Sequence, residues 1–346
     1  MLSQPQTLKD NLGPSTYYSG INLLRGFAAL AVCCFHFSNG NGQLLENTDW
    51  VKRIGSVGYL GVELFFVISG FVITLSMYNS GYQLKKFPLF FLKRLTRLEP
   101  PYILSIPIIC ALNFTSSFSS HFQGASFAID YCQLLLHLGY LIPFSPYNWL
   151  NPVYWSLGIE FQFYILIGLL FPFIFTPNRT IFAVIFTLFA VGYILVPYES
   201  SIFHYGLYFV LGFLFAKLEF RQFKEPLFYF YIAATLSCLG LKGDINMFSI
   251  GLLSFLFFHF YKHSRNKVLD FIGNISYSLY LLHVPIGGRI INLSLRFGNS
   301  KLIAYSAIAL ALFFSIAAAY LFYRLVEIPS IRWSKRIVLP IKSQPE

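Results

Sequence analysis

Ile21-Asn-Leu-Leu-Arg-Gly-Phe-Ala-Ala-Leu-Ala-Val-Cys-Cys-Phe-His36 decides how this chain is read. It is apolar enough to cross a bilayer as a helix, yet it carries Arg25 and His36. At about 100° per residue the two are three turns plus about 20° apart, so they share one helical face. The rise between them is about 16 Å, near half the thickness of a hydrocarbon core. Ionisable groups so placed are costly in lipid and mark functional positions, or polar contacts inside a helix bundle.

The rest of the chain repeats that apolar character. Of its 346 residues 56% are hydrophobic, 19% aromatic and only 11% charged, where a soluble domain carries about 25% charged residues. Apolar stretches occur near 21–38, 58–78, 98–114, 153–175, 180–197, 202–217, 227–241, 246–261, 270–288 and 302–323. A further segment, 127–144, is apolar but holds Asp130 and His137 and ends among Pro143 and Pro146. No room is left for a soluble domain. The net charge of +11 belongs to cytoplasmic loops and anionic headgroups, and no nucleic-acid partner is expected. Cys33, Cys34, Cys110, Cys132 and Cys238 all lie in apolar stretches without ligand spacing, so they read as packing residues and no metal site is expected.

Basic residues set the expected orientation. Lys85, Lys86, Lys93, Arg94 and Arg97 follow the second apolar stretch. Lys217, Arg221 and Lys224 form a second basic group, Lys262, Arg265 and Lys267 a third, and Arg324, Arg332, Lys335 and Arg336 a fourth. Placing all four inside requires that 127–144 does not cross. The expected fold is an all-α polytopic membrane protein of about ten transmembrane helices, one short re-entrant or interfacial segment on the outer side, and both termini cytoplasmic. Residues 1–20 are then a cytoplasmic N-terminal segment, 21–324 a single transmembrane domain and 325–346 a cytoplasmic tail. This orientation puts Arg25 near the inner surface, and His36 in the outer half at nearly the depth of Glu160.

Several side chains suit chemistry. His36 is a candidate general base at neutral pH. Glu160, in Trp155-Ser-Leu-Gly-Ile-Glu160-Phe-Gln-Phe-Tyr164, could orient an imidazole or pair with an arginine. Trp155 and Tyr164 also suit an interface or a packed core. Glu63, in Gly61-Val-Glu-Leu-Phe-Phe-Val-Ile-Ser69-Gly70-Phe71, is a second carboxylate in an apolar stretch, suited to a cation or a substrate hydroxyl. Ser69 and Gly70 suit close helix packing. Lys93, Arg94 and Arg97 cluster where a helix enters the membrane, and Arg94 and Arg97 share a face. Guanidinium forks match phosphate oxygens, and a lipid-facing topology anchor is the alternative. His283 reads as a supporting polar contact.

Taken together, Arg25-x10-His36, Gly61–Phe71, Lys93-Arg94-Leu-Thr-Arg97 with Pro100, Trp155-Ser-Leu-Gly-Ile-Glu160, Ile275-Ser-Tyr-Ser-Leu-Tyr280 with His283, and Glu327-Ile-Pro329 resemble the acyltransferase-3 family of integral membrane acyltransferases. The motifs occur in the family's order over residues 21 to 330. The resemblance implies O-acyl transfer, usually of acetyl, from cytoplasmic acyl-CoA to a hydroxyl of an extracytoplasmic glycan such as an exopolysaccharide, an O-antigen or another surface saccharide. It implies a bacterial cytoplasmic (inner) membrane. Acetyl-CoA or another acyl-CoA is the expected donor, with no metal. His36 and Glu160 are the expected catalytic pair, and Arg25, Lys93, Arg94 and Arg97 the expected donor site. Glu63, Ser69, Trp155 and His283 are the expected acceptor or supporting site. Direct transfer and an acyl-histidine intermediate both stay open.

Two departures stand out. The family more often has aspartate where this chain has Glu63. Many relatives also carry a C-terminal extracytoplasmic hydrolase-like domain, whereas this sequence ends soon after its last apolar stretch, so a stand-alone form is expected. A proton-coupled transporter or flippase for a lipid or sugar is the competing class, because buried His, Glu and Arg also build proton relays. The expected partners are acyl-CoA, a saccharide acceptor and membrane lipids. Oligomeric state is left open, a homodimer included.

Overall fold

Proline and glycine positions shape the helices of this chain as much as its apolar runs do. The computed structural model describes residues 19–118, 128–176, 178–222, 224–241, 245–261, 264–298 and 300–337. Those residues are helical with intervening turns, and no strand occurs among them. The elements are α1 (Ser19–Asn39), α2 (Trp50–Gly55), α3 (Gly61–Asn79), α4 (Phe87–Ser117), α5 (Tyr131–Leu138), α6 (Tyr154–Ile174) and α7 (Arg179–Leu195). They continue with α8 (Ile202–Glu219), α9 (Glu225–Leu241), α10 (Ile245–Phe260), α11 (Lys267–Asn274), α12 (Ser276–Ser294), α13 (Lys301–Phe322) and α14 (Ile328–Arg336). A π-helical turn, Tyr323–Glu327, joins the last two.

Six helical stretches are long and apolar enough to cross a membrane: Gly20–Asn39, Trp50–Asn79, Leu84–Ser117, Tyr154–Ile174, Ile202–Glu219 and Lys301–Arg336. The helices α7, α9 and α10 are apolar but shorter. The segment expected to stay on one side forms α5, eight residues long. At 1.5 Å per residue it is too short to cross a core about 30 Å thick. The first 18 residues, residue 127 and residues 338–346 lie outside the described residues. The expected placement of both termini therefore falls there as well.

Two boundaries differ from the expected ones. The apolar stretch 98–114 is expected to begin a span just after the basic group Lys93, Arg94 and Arg97, but that group does not precede the helix. It is instead part of α4, a 31-residue helix. Pro88 sits in the first turn, where a missing N–H costs nothing, and the helix continues through Pro100, Pro101 and Pro107. The stretch 270–288 is divided. Ile275, at φ −94° and ψ 5°, ends α11 before α12 begins.

A proline inside a helix leaves the carbonyl four residues earlier without its usual N–H, and in lipid nothing else supplies one. Side chains from other elements close two such gaps. Pro172 frees the carbonyl of Gly168, which accepts from the Tyr82 hydroxyl at 2.7 Å. Pro285 frees the carbonyl of Leu281, which accepts from the Asn151 amide at 2.9 Å. Asn151 is buried, so this bond ties the turn before α6 to the middle of α12.

Glycines permit the closest crossings. Gly70 on α3 lies against the Phe209 carbonyl of α8, and Gly212 on α8 lies against the Val67 carbonyl of α3. A Cβ at either would collide with backbone. The same reciprocity joins α1 and α11: Gly26 meets the Leu269 carbonyl and Gly273 meets that of Asn22. In this way α1 is held between α11, α12 and α3. On the face that carries Arg25 and His36, α1 therefore looks toward α3 and α12.

His137 seats α5. Its Nε2 accepts from the Leu150 amide at 3.1 Å, so the proton is on Nδ1, which donates to the Gln133 carbonyl at 2.8 Å. The Tyr102 hydroxyl of α4 donates to the His137 carbonyl at 3.1 Å. Both ring nitrogens are satisfied, and the residue is structural.

Candidate active site

Between α1, α3, α4, α6 and α12 lies a cavity of about 840 Å³, its open mouth included. Arg25, Arg94 and Arg97 line it, and so do Ser69, Glu160 and Tyr164. Tyr277 and Tyr280 of α12 close another wall. The remaining lining is largely apolar, including Val62, Phe65 and Leu157. Arg94 and Arg97 reach it together because they are three residues apart on α4. Arg25 comes from the second turn of α1.

The arginines are unspent. None of the three guanidinium groups donates a hydrogen bond or forms an ion pair to another described residue. Arg94 packs over Phe90 and Tyr164, 5.5 and 6.0 Å from the ring centres, and its Nε is buried without an acceptor. Buried donors without acceptors are costly. Three half-buried guanidinium groups whose N–H donors are not used within the protein, converging on one cavity, make a receptor for an anion with several oxygens.

Two carboxylates bound this charge. Glu160 accepts from the Ser69 hydroxyl at 2.8 Å and lies within electrostatic reach of Arg25 and Arg94. Glu327 accepts from the Ser278 hydroxyl at 2.6 Å and from its amide at 3.2 Å. Ser278 stands in the first turn of α12, whose amides have no helical partner, so Glu327 caps that helix from the far end of the chain. It also lies within reach of Arg25 and Arg97. Two anions thus stand near three cations, leaving the cavity positive.

His36 has a different setting. It is half-buried, and its ring neighbours are Phe35 and His283, each 5.1 Å away between centres. It is not part of the cavity wall. Tyr280 connects the two places, because it lines the cavity and lies 5.9 Å from the His283 ring. Its hydroxyl is fixed on the α6 side by Ser156 at 2.6 Å and by the Val153 carbonyl at 3.1 Å.

Of the expected site residues, the structure brings Arg25, Arg94, Arg97, Ser69 and Glu160 together in one cavity. His36 and His283 meet beside it. Glu160, placed by sequence at the depth of His36, makes its hydrogen bond to Ser69 and faces the arginines. Ser69, expected either at a supporting site or at a close helix crossing, donates to Glu160 in the cavity, and Gly70 makes the crossing. Lys93 is half-exposed and lies outside the lining, as expected one position away from Arg94 on a helix. Glu63 is buried within electrostatic reach of Tyr205 and Tyr280. Trp155 packs on Phe66 and Tyr205. Neither lines the cavity.

Sequence reading gave no site role to Glu327, Tyr277, Tyr280, Ser156 and Asn151. A signal exists for the tyrosines: Tyr277 and Tyr280 are three apart, so they share a face of α12. For Glu327 and Asn151 only long-range contact reveals the role. Among the described residues no cluster of His, Cys, Asp and Glu could hold a metal ion.

The family model described as an acyltransferase domain, Acyl_transf_3, matches residues 18–324. The chain is 28% identical over 325 residues to the O-acetyltransferase OatA of Staphylococcus aureus, covering 78% of this chain and 50% of that protein. It is 29% identical over 162 residues to the peptidoglycan O-acetyltransferase OatA of Listeria monocytogenes, covering 43% of this chain and 23% of that protein. The chain thus spans about half the length of the Staphylococcus aureus relative and less of the other. No solved structure matches it. With its apolar helices and a family match over most of its length, the chain is an integral membrane protein of the acyltransferase-3 family.

Proposed function

We propose that this protein is a membrane O-acyltransferase that moves an acyl group, acetyl first among candidates, from acyl-CoA to a hydroxyl of a cell-surface glycan. The observation that carries the proposal is the cavity with three unpaired guanidinium groups. Its positive wall suits the phosphates of acyl-CoA, and its aromatic and aliphatic wall suits a pantetheine arm. The names of the relatives add O-acetylation, and for the Listeria protein peptidoglycan as the acceptor. The same reading places ten crossings with both termini inside, the donor entering from the cytoplasm and the acceptor from outside, in a bacterial inner membrane.

His36 takes the proton of the acceptor hydroxyl while the oxygen attacks the thioester carbonyl. The carbon–oxygen bond forms, the carbon–sulfur bond breaks, and the CoA thiolate leaves with the proton that His36 returns. Glu160 and Glu327 hold the net charge of the arginine wall in balance, so that the empty site is not three bare cations in a bundle. A thioester at Tyr280 would lie one ring away from His283 and two from His36, so the acyl end has to pass Tyr280 to react.

The test uses membranes with radiolabelled acetyl-CoA and envelope glycan, at matched protein levels. Arg94→Ala and Arg25→Ala are expected to weaken acyl-CoA binding by about tenfold or more each, since each removes a charge-assisted contact worth about 1.5–3 kcal/mol. His36→Ala is expected to abolish transfer while leaving that binding in place. Normal acyl-CoA binding in both arginine variants would refute the donor site, and undiminished transfer by His36→Ala would refute the base.

A further inference from the structure

His283 is the one histidine of α12, and its two nitrogens are in opposite situations. Nδ1 lies 2.9 Å from the carbonyl of Leu279 and 2.9 Å from that of Tyr280. Carbonyls only accept, so Nδ1 carries the proton and Nε2 is left as a bare lone pair. That Nε2 is fully buried, with no partner among the described residues. The ring beside it is His36, 5.1 Å away centre to centre and tilted by 57°. The two rings are neighbours without a hydrogen bond between them, and a turn of the half-buried His36 ring is what would bring one of its N–H groups onto Nε2. The other rings around His283, those of Phe37 and Tyr280, offer it no donor, since the Tyr280 hydroxyl is committed to Ser156 and the Val153 carbonyl.

We infer that His283 is the positioning residue for His36: its Nε2 accepts the N–H of the His36 imidazole and so directs the other His36 nitrogen at the acceptor hydroxyl. This rests on the reading of His36 as the base. The local structure supports the division of labour. His283 is wholly buried and its tautomer is locked by two helix carbonyls, so it does not exchange protons with an acceptor. His36 is half-exposed and has no such lock. Pro285 and the Asn151 bond to Leu281 fix the turn of α12 that carries His283. When His36 takes the acceptor proton, the resulting imidazolium keeps its second N–H on Nε2 of His283. No charge then needs a carboxylate beside it, which frees Glu160 for the arginine wall.

The experiment compares His36→Ala, His283→Phe, His283→Met and His283→Gln in membranes supplied with radiolabelled acetyl-CoA and envelope glycan. Protein amount and thermal melting are matched. His283→Phe and His283→Met, which remove the acceptor, are expected to lower the transfer rate by about tenfold or more without raising the half-saturating acetyl-CoA concentration. His283→Gln, which keeps an acceptor at that position, is expected to recover most of the rate. If Gln is impaired as much as Phe and Met, or the loss appears as a raised half-saturating concentration, the role is one of packing and the inference is overturned. It is equally overturned if Phe and Met match the unsubstituted protein while His36→Ala is dead. Activity in His36→Ala would instead remove the reading of His36 itself, and with it any task for His283.

Discussion

Tyr82 shows how much a single hydroxyl can matter inside a bilayer. It supplies the hydrogen bond that Pro172 denies to Gly168. Tyr82→Phe keeps the ring and is expected to cost about 1–3 kcal/mol of stability, seen as a lower melting temperature in detergent, because the carbonyl has no water to turn to. Transfer activity of the folded fraction should be unchanged, since Tyr82 does not line the cavity. Ser69→Ala is the opposite case. It removes the donor to Glu160 within the cavity, so the expected result is a measurable fall in acyl-CoA affinity with a near-normal melting curve. Equal affinity in the Ala variant would mean that Glu160 is held by other means.

Between elements, close crossings and caps carry the stability. Gly212→Val would drive a branched side chain into the α3 backbone at Val67. It is expected to destabilise the protein by several kcal/mol, in the range of severe overpacking, and to lower its yield in membranes. Asp49 controls another junction. It caps α2 through the Val51 amide at 2.9 Å, accepts from Tyr305 at 2.8 Å and pairs with Lys301 at 3.7 Å. Burial raises its pKa, but these hydrogen bonds and the ammonium outweigh burial, so the carboxyl sits below the usual carboxylate range. A depressed folded pKa means that the junction is at full strength above the ordinary carboxylate pKa of about 4 and weakens as pH falls through the folded value. Melting temperature should therefore drop more steeply on acidification for the unsubstituted protein than for Asp49→Asn. Parallel slopes would show that Asp49 contributes nothing to acid sensitivity.

At the scale of the whole molecule, the proposed ten crossings put α5 on the outer side. Cys132 of α5 and Cys34 of α1 are exposed, whereas Cys33 is buried. In a Cys34→Ser background a membrane-impermeant maleimide should label Cys132 in spheroplasts, and adding Cys132→Ser should remove that label. Labelling only after the membrane is opened would invert the topology and exchange the donor and acceptor faces.

By itself the sequence determined that this is an all-helical membrane protein, where most helices lie, and that Arg25, Arg94, Arg97, Glu160 and His36 are its unusual polar residues. Those features are local. Apolar runs, basic clusters and i, i+3 spacing are written along one segment at a time. Tertiary structure alone decided which of these residues meet. It sent Glu160 to Ser69 and the arginine wall, set His283 beside His36, and brought Glu327 onto the first turn of α12. It also decided which side chains fill the gaps left by Pro172 and Pro285. Depth along a helix follows from residue number, but rotation about the helix axis and the choice of neighbour follow from packing. In this bundle reciprocal glycine contacts fix both, and the partner of each lies far away in the chain.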